Sequence, residues 1–575
     1  MGLLLAWLLV PLGCKPDCPP GSQRYPDGLC HLDEADTDSD TDTDSDTDTD
    51  SDTDSDTDSD TGPGETGDTG PEESDPGWTV GDIEACDDPV DSISYSNVSD
   101  VIGVSSFSTN TTLGGIGLQW LDDGWRIYSS APDGYQWWDL DGTDSDTVVL
   151  YDDSYPIDGK FLLEDIDDDG TLDLMYNATK VEVIWSVGTD EEESSVHMEG
   201  NNSCDLRDVY LFDMDGDGDQ DLLVPSGCRM LTGSTLGLVI ENAGSRLFGS
   251  YEMVDMEEDD WGSTFDATVM DLDGDLDLDF YICNDFGDEY APNKFFMNDG
   301  TGSLSIGDDL GAGVTTHCMT ASAGDLDGDG LLDLYVGGTG SNFGLISSSF
   351  GYIDMSTAWG WEDFEDDENQ MPWGSAIVDY DNDGLTDLFI TTSDFNGDGG
   401  ESYDPWPMRL MRQTEASVWE EYGEDVGLPQ EACGRGLIAH DVNEDGIVDL
   451  MVADFERSPW VLVSNGCTAD NWVEVTAPTG TVVEVQSGDQ SWVALATSHR
   501  GFAAAHPSTA HIGMGSAETI DRIVLTVPWV GEKVLVGPIE ARRRLTWAPV
   551  ETSDTGQTDT AGETDTALPQ CDESG

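Results

Sequence analysis

The chain has 575 residues, with 122 aspartates and glutamates against 19 lysines and arginines, for a formal net charge of −103. A field of that sign and size excludes nucleic acid and direct adsorption to anionic lipid as partners. The eleven cysteines show no Cys-x-x-Cys or Cys/His ligand spacing, which argues against the common zinc and haem sites.

At the amino end, Leu3 to Val10 is an apolar run too short to cross a bilayer, followed by Pro11, Leu12, Gly13 and Cys14. A small residue before a cysteine resembles a bacterial lipoprotein cleavage site. The resemblance implies that residues 1–13 are a signal peptide and that Cys14 is the lipidated first residue. Lys15 after the cysteine implies an outer-membrane address. Ordinary secretion without lipid is the alternative. No other segment is apolar enough to cross a membrane, so a lipid anchor is the sole membrane contact expected.

Residues 14–77 read as a disordered stalk rich in Asp, Thr and Ser. From Asp36 to Asp60 every second residue is aspartate and the others are threonine or serine, a composition that cannot bury apolar surface and stays extended. Its upper reach over residues 31–77 is about 150 Å at ~3.3 Å per residue. A solvating tail with no spacing role fits the same composition.

Further on, one nine-residue pattern recurs six times, with aspartate at positions 1, 3, 5 and 9 and usually glycine at 6. The first loop is Asp165, Asp167, Asp169 and Asp173 with Thr171 at position 7; the second is Asp213, Asp215, Asp217 and Asp221 with Asp219 at 7. The third has Asp271, Asp273, Asp275 and Asp279 with Asp277; the fourth, Asp325, Asp327, Asp329 and Asp333 with Leu331. The fifth has Asp379, Asp381, Asp383 and Asp387 with Leu385; the sixth, Asp441, Asn443, Asp445 and Asp449 with Ile447. Alternate carboxylates in a tight loop converge on one point, and Ca²⁺ accepts six to eight oxygens at roughly 2.3–2.6 Å. Side chains at 1, 3, 5 and 9 and the carbonyl at 7 would form the shell, whereas Mg²⁺ fits less well because it keeps its waters. The third loop carries Leu276 where the turn wants glycine, so a distorted or empty site is expected there.

These loops are not EF-hands, because position 12 is Tyr176, Val224, Ile282, Val336, Ile390 or Val452 rather than the closing glutamate. Short β-branched and aromatic runs flank them, so each loop joins two strands. First aspartates recur every 48 to 62 residues, a period that predicts a β-propeller of four-stranded blades. One period upstream, Leu118 to Tyr128 keeps the strands and turn without the ligand ladder, which makes seven blades; six or eight remain open. The expected fold class is all-β: a seven-bladed β-propeller with calcium-binding loops plus a small carboxy-terminal β domain.

At these loops, together with Asn284 to Gly287 and Asn293 to Gly302, the chain resembles the FG-GAP/VCBS repeat family, whose propellers include the integrin α head. Asn471 to Val475, His511 to Gly515 and Ile523 to Trp529 resemble the ASPIC/UnbV domain, a pairing characteristic of cartilage-acidic-protein-like proteins. The resemblance implies a propeller over 78–466, an ASPIC/UnbV-like domain over 467–549 and an acidic tail over 550–575. It also implies an extracellular calcium-binding protein, but no defined ligand.

Lipidating Cys14 leaves ten cysteines, an even number that suits disulfides in an oxidising compartment. Local pairing gives Cys18 with Cys30, Cys204 with Cys228, Cys283 with Cys318 and Cys433 with Cys467, leaving Cys86 and Cys571 to tie the two ends, although spacing fixes none of these. His440, His317, His506 and His511 read as structural side chains. Asp394 to Glu401 reads equally as an extra calcium loop or a surface turn. With no nucleophile elbow or phosphate loop in the sequence, the expected function is a surface-displayed binding or adhesion module for an extracellular protein or glycan. The alternative is a secreted polysaccharide lyase or hydrolase. Exposed tryptophans such as Trp137 and Trp138 would suit sugar stacking.

Overall fold

A computed structural model describes residues 22–24, 30–32 and most of 74–549; within that span 105–114, 150–160, 186–192, 200–207, 226–238, 243–247, 251–261, 362–369, 395–404 and shorter stretches are not described. Cys14, the Asp36 to Asp60 run, Asp394 to Glu401 beyond its first residue, and the acidic tail therefore lie outside the described residues, as do Asp165, Asp167, Asp169 and Thr171 of the first loop. Among the described residues the regular structure is strand, apart from the single-turn helix Ser356–Trp359.

Six sheets are built on the repeats. Each begins with two antiparallel strands joined by an acidic loop, as in Ser263–Met270 with Asp279–Asp285, Cys318–Gly324 with Asp333–Gly338, and Gln370–Val378 with Asp387–Asp394. The register is the same in all six: the residue before position 1 pairs with the aspartate at position 9, as in Glu164 with Asp173, Phe212 with Asp221 and His440 with Asp449. Two further strands complete each sheet in meander order. The sixth-loop sheet takes its fourth strand from far upstream, where Tyr95–Asn97 pairs with Trp460–Ser464.

The degenerate copy forms a seventh sheet from Ile116–Leu121, Gly124–Ala131, Gly134–Asp139 and Ser145–Val149. First strands pack side by side in succession from Ser263–Met270 through Cys318–Gly324 and Gln370–Val378 to Gly434–His440, which meets Ile116–Leu121, which meets Phe161–Glu164. Apolar clusters fill the spaces between neighbouring sheets. Phe389 and Leu410 of one meet Leu437 and Leu450 of the next, and Tyr210 and Phe212 meet Ala267 and Phe280. Full burial of such side chains contributes roughly 1.5–3 kcal/mol each, so the inter-sheet layers hold the assembly together.

The carboxy-terminal strands make two facing four-stranded sheets. One contains Trp78–Val80, Arg543–Trp547, Asn471–Thr476 and Thr509–Gly515; the other contains Gln490–Ala496, Thr481–Ser487, Thr519–Val527 and Gly531–Glu540. Val473, Val475, Ile512 and Leu545 of the first pack on Val483, Val485, Ile523 and Leu525 of the second. Trp78–Val80, at the start of the span read as the propeller, thus hydrogen-bonds within this sandwich.

Cys283 and Cys318 form the expected disulfide, joining two consecutive sheets. The pairings of Cys433 with Cys467 and of Cys86 with Cys571 are wrong: Cys467 bonds Cys86. Residues after Val80 run back along the sandwich, with Gly81 and Glu84 donating to the Arg544 and Arg542 carbonyls and Val90 to that of Cys467, and this brings Cys86 alongside. Cys433 is instead buried against Phe455. Cys18, Cys204, Cys228 and Cys571 lie outside the described residues, and only the backbone of Cys30 is described.

Candidate metal loops and their cap

Within each described loop the carboxylates first serve the loop's own backbone. The aspartate at position 1 accepts the position-6 N–H, at 3.1 Å from Gly218, 3.0 Å from Leu276 and Gly330, and 2.7 Å from Gly384 and Gly446. In the second to fourth loops its other oxygen accepts the position-4 glycine, at 2.7 Å for Gly216 and 2.8 Å for Gly274 and Gly328. Position 5 accepts the position-7 N–H, for example Leu331 to Asp329 at 2.9 Å. Position 9 is the anchor: one oxygen accepts the position-2 N–H and the other an N–H arriving from the third strand. For Asp333 these come from Leu326 at 2.8 Å and Ser347 at 2.7 Å; for Asp387, from Tyr380 at 3.1 Å and Gln413 at 2.8 Å. Asp173, at position 9 of the first loop, is buried and accepts Ile166 N–H in the same way.

Left-handed backbone at position 6 is present as expected, with φ of 94° at Gly218 and 89° at Gly330. A second left-handed residue at position 4 escaped sequence reading, because there it is Gly216, Gly274, Gly328, Asn382 or Glu444. The third loop is not distorted. Leu276 takes φ 78° and makes the same hydrogen bond as a glycine would. That conformation costs roughly 1–2 kcal/mol, and the Leu276 carbonyl is held by Trp529 N–H at 2.8 Å.

Among the described residues, oxygens from positions 1, 3 and 9 converge in four loops. Asp213, Asp215 and Asp221, Asp271, Asp273 and Asp279, Asp325, Asp327 and Asp333, and Asp379, Asp381 and Asp387 each bring three carboxylate oxygens within 4.8 Å of one another. Burial pushes Asp325 up to about 6, Asp279 to about 7 and Asp333 to about 8, with the neighbouring carboxylates adding to it. Asp379 and Asp387 are driven well above the ordinary range for the same reasons. Asp379 Oδ1 and Asp381 Oδ1 are buried without a hydrogen-bond partner. Hard oxygen donors crowded to mutual cost, two of them orphaned, fit a hard divalent cation. Arg412 partly balances the fifth loop, lying 2.8 Å from Asp381 and 3.3 Å from Asp383.

The loop end of the sheets is covered by the carboxy-terminal sandwich, here called the cap. Trp529 Nε1 donates to the Asp213 carbonyl at 2.9 Å, and the ring lies where a Cβ on Gly216 would sit. Trp492 covers Gly384, and Trp472 covers Gly446. On the fifth loop, Gly515 N–H donates to the Asn382 carbonyl at 2.9 Å, His511 Nε2 lies 2.9 Å from Asn382 Oδ1, and Gly513 leaves no room for a Cβ beside Asp379. A cavity of about 200 Å³ remains between the fourth and fifth loops and the cap, bordered by Asp325, Asp379, Gln413, Trp492 and His511.

A finger from the cap enters among the first strands. Phe502 is fully buried between Phe265 and Trp373. Ala503 N–H donates to Asp208 at 3.0 Å, its carbonyl accepts Ile116 N–H at 3.0 Å, and Ala504–Ala505 pairs in parallel with Ile116–Gly117. Neither the cap contacts nor the finger follow any period in the sequence.

Other expected residues fall elsewhere. His440 is buried against Trp125, 4.0 Å from Glu474. His317 lies at the strand end opposite the loops, half exposed and 3.0 Å from Asp285. His506 Nδ1 lies 2.8 Å from the Pro507 carbonyl. Trp138 is fully buried and offers no face to a sugar, while Trp137 has the Arg126 guanidinium 3.6 Å over its ring.

Residues 271–336 match the family model described as FG-GAP-like repeat, and residues 475–553 match the model described as ASPIC and UnbV. The first match takes in the third and fourth loops and the Asn284 to Gly302 stretch, and the second takes in His511 to Gly515 and Ile523 to Trp529. No curated protein matches the chain. Among the described residues no helix is long and apolar enough to cross a membrane.

Proposed function

We propose that the chain is an extracellular seven-bladed β-propeller stiffened by calcium, displayed from the cell surface by a lipid on Cys14, and working as a binding module for a protein or glycan. The observation that carries this reading is the four-fold recurrence of one carboxylate geometry at the same register of successive sheets. Turn-making alone does not call for three convergent acidic oxygens. The FG-GAP-like match favours calcium and an extracellular setting. The count of seven is supported by the degenerate sheet at Ile116–Val149 and by Tyr95–Asn97 completing the last sheet, as an upstream strand would in tying the two ends of a propeller.

In the first five loops, Asp at 1, 3, 5 and 9 would hold the ion, which supplies charge neutralisation at an acidic cluster. Calcium that binds only the folded state adds RT ln(1 + [L]/Kd) per site, about 2.7 kcal/mol at a hundredfold excess over Kd. Since the cap covers the loop end, the ligand surface falls to the opposite end, around Asp285 and His317, or to the outer strands. A binding module is favoured over a polysaccharide-active enzyme because the concentrated acidic chemistry is engaged in backbone anchoring and cation holding. Melting with and without chelator tests the calcium reading; an unchanged melting temperature would sink it. Screening a glycan and extracellular-protein array in calcium and in chelator tests the binding reading, and turnover of any arrayed polysaccharide would favour the enzyme.

A further inference from the structure

The fit found in the second to fifth loops fails at the sixth. Position 3 is the amide Asn443, whose Nδ2 donates to Asp445 Oδ2 at 2.9 Å. The same oxygen accepts Ser464 Oγ at 2.7 Å, and Asp445 Oδ1 accepts Ile447 N–H at 2.9 Å. Asp449 is occupied by Ser464, Val442 and Asn443 N–H groups. Asp441, with no exposed side chain, already has a cation: Arg544 Nη2 lies 2.6 Å from its Oδ2, beside the Gly446 N–H. Arg544 comes from the cap strand Arg543–Trp547. Its Nε donates to Glu474 at 3.1 Å and its Nη1 to Glu84 on the amino-terminal segment.

We propose that the sixth loop is not a calcium site and that the Arg544 guanidinium is its resident cation, clasping the cap and the Glu84 segment to the last sheet. At positions 1, 3, 5 and 9 the loop has three carboxylates where each of the others has four. A guanidinium never deprotonates in proteins, and its planar fork of donors serves several carboxylates at once. A second cation at Asp441 would be repelled by it and would have to break the hydrogen bonds that hold Asp445. The proposal borrows from the calcium reading only the contrast with the other loops.

The test counts calcium bound to the full chain by equilibrium dialysis with metal analysis. Asp333→Asn should lower the count by one, whereas Asn443→Ala, at an exposed position, should leave both count and affinity unchanged. Loss or weakening of one site in Asn443→Ala overturns the proposal. In chelator, Arg544→Gln should speed proteolytic separation of cap from sheets by about tenfold or more, as loss of charged hydrogen bonds implies. Unchanged proteolysis overturns the clasp. If Arg544→Gln does not fold, Glu84→Ala, which removes one of three partners, should show a smaller acceleration, and none would likewise overturn it. Should no calcium bind even to the parent chain, the calcium reading fails, and the chelator arm still decides the clasp.

Discussion

In the second to fifth loops the aspartate at position 9 ties the loop to the sheet, since one oxygen accepts the position-2 N–H and the other an N–H from the third strand while the carboxylate also faces the cluster. Asp333→Asn keeps the shape but turns one acceptor into a donor, leaving Leu326 or Ser347 N–H without a partner. The expected loss is about 1–3 kcal/mol even in chelator, read as a lowered denaturation midpoint, with a further loss when calcium is added to the parent chain. Asp329→Ala, at the exposed position 5 of the same loop, should cost much less in chelator and show its effect only with calcium present.

The same residues fix a pH dependence. Burial raises Asp333 to about 8 and Asp279 to about 7, against an unfolded value near ~3.9. A folded pKa above the unfolded one means that the native state holds the proton more tightly. Its stabilisation is complete below about pH 4 and is lost as pH rises through about 7 to 8. Metal-free protein should therefore melt higher at about pH 5 than at about pH 8. On the calcium reading the ion would compete with those protons, so its addition should raise the melting temperature more at the higher pH. Calorimetry in chelator and in calcium at the two pH values checks both signs; a metal-free protein stabler at the higher pH would contradict the burial argument.

Among the elements, the strand Thr509–Gly515 and the finger around Phe502 bind the cap to the sheets. A methyl group at Gly513 would overlap the Asp379 carboxylate. Gly513→Ala should thus shift the cap strand off the fifth loop, lower the melting temperature and weaken calcium binding at that loop while leaving the fourth loop's site intact. Phe502→Ala empties a pocket shared by Phe265 and Trp373 and should cost about 3–5 kcal/mol, measured by denaturant unfolding, without changing the calcium count. These elements also mark where sequence reading stopped. The loops and their flanking strands were legible because ligand spacing and a recurring period both repeat. The position-4 turn was not, because glycine, asparagine and glutamate all fill it. The cap contacts were not, because Trp472, Trp492 and Trp529 each meet a different loop and share no spacing. Arg544 gave no signal either: its partners lie at 84, 441 and 474, and only the fold brings them together.

At the scale of the whole molecule, the sheets and cap form one unit tied end to end by Cys86–Cys467 and by Trp78–Val80 pairing with Arg543–Trp547. The acidic run Asp36 to Asp60 precedes all of these ties. Its composition offers nothing to a core, so deleting it should leave the melting temperature of the calcium-loaded protein nearly unchanged. Charge acts in the same direction, because removing thirteen aspartates relieves repulsion rather than breaking a contact. On intact cells the deletion should reduce access of a large external probe, since the tether shortens by up to ~80 Å at ~3.3 Å per residue. Cys14→Ser separates anchoring from spacing: it should release the protein from the membrane fraction or leave its signal uncleaved, with the melting temperature again unchanged. A clear drop in stability on deleting Asp36 to Asp60 would mean that the run packs on the folded unit, and the stalk would have to be given up.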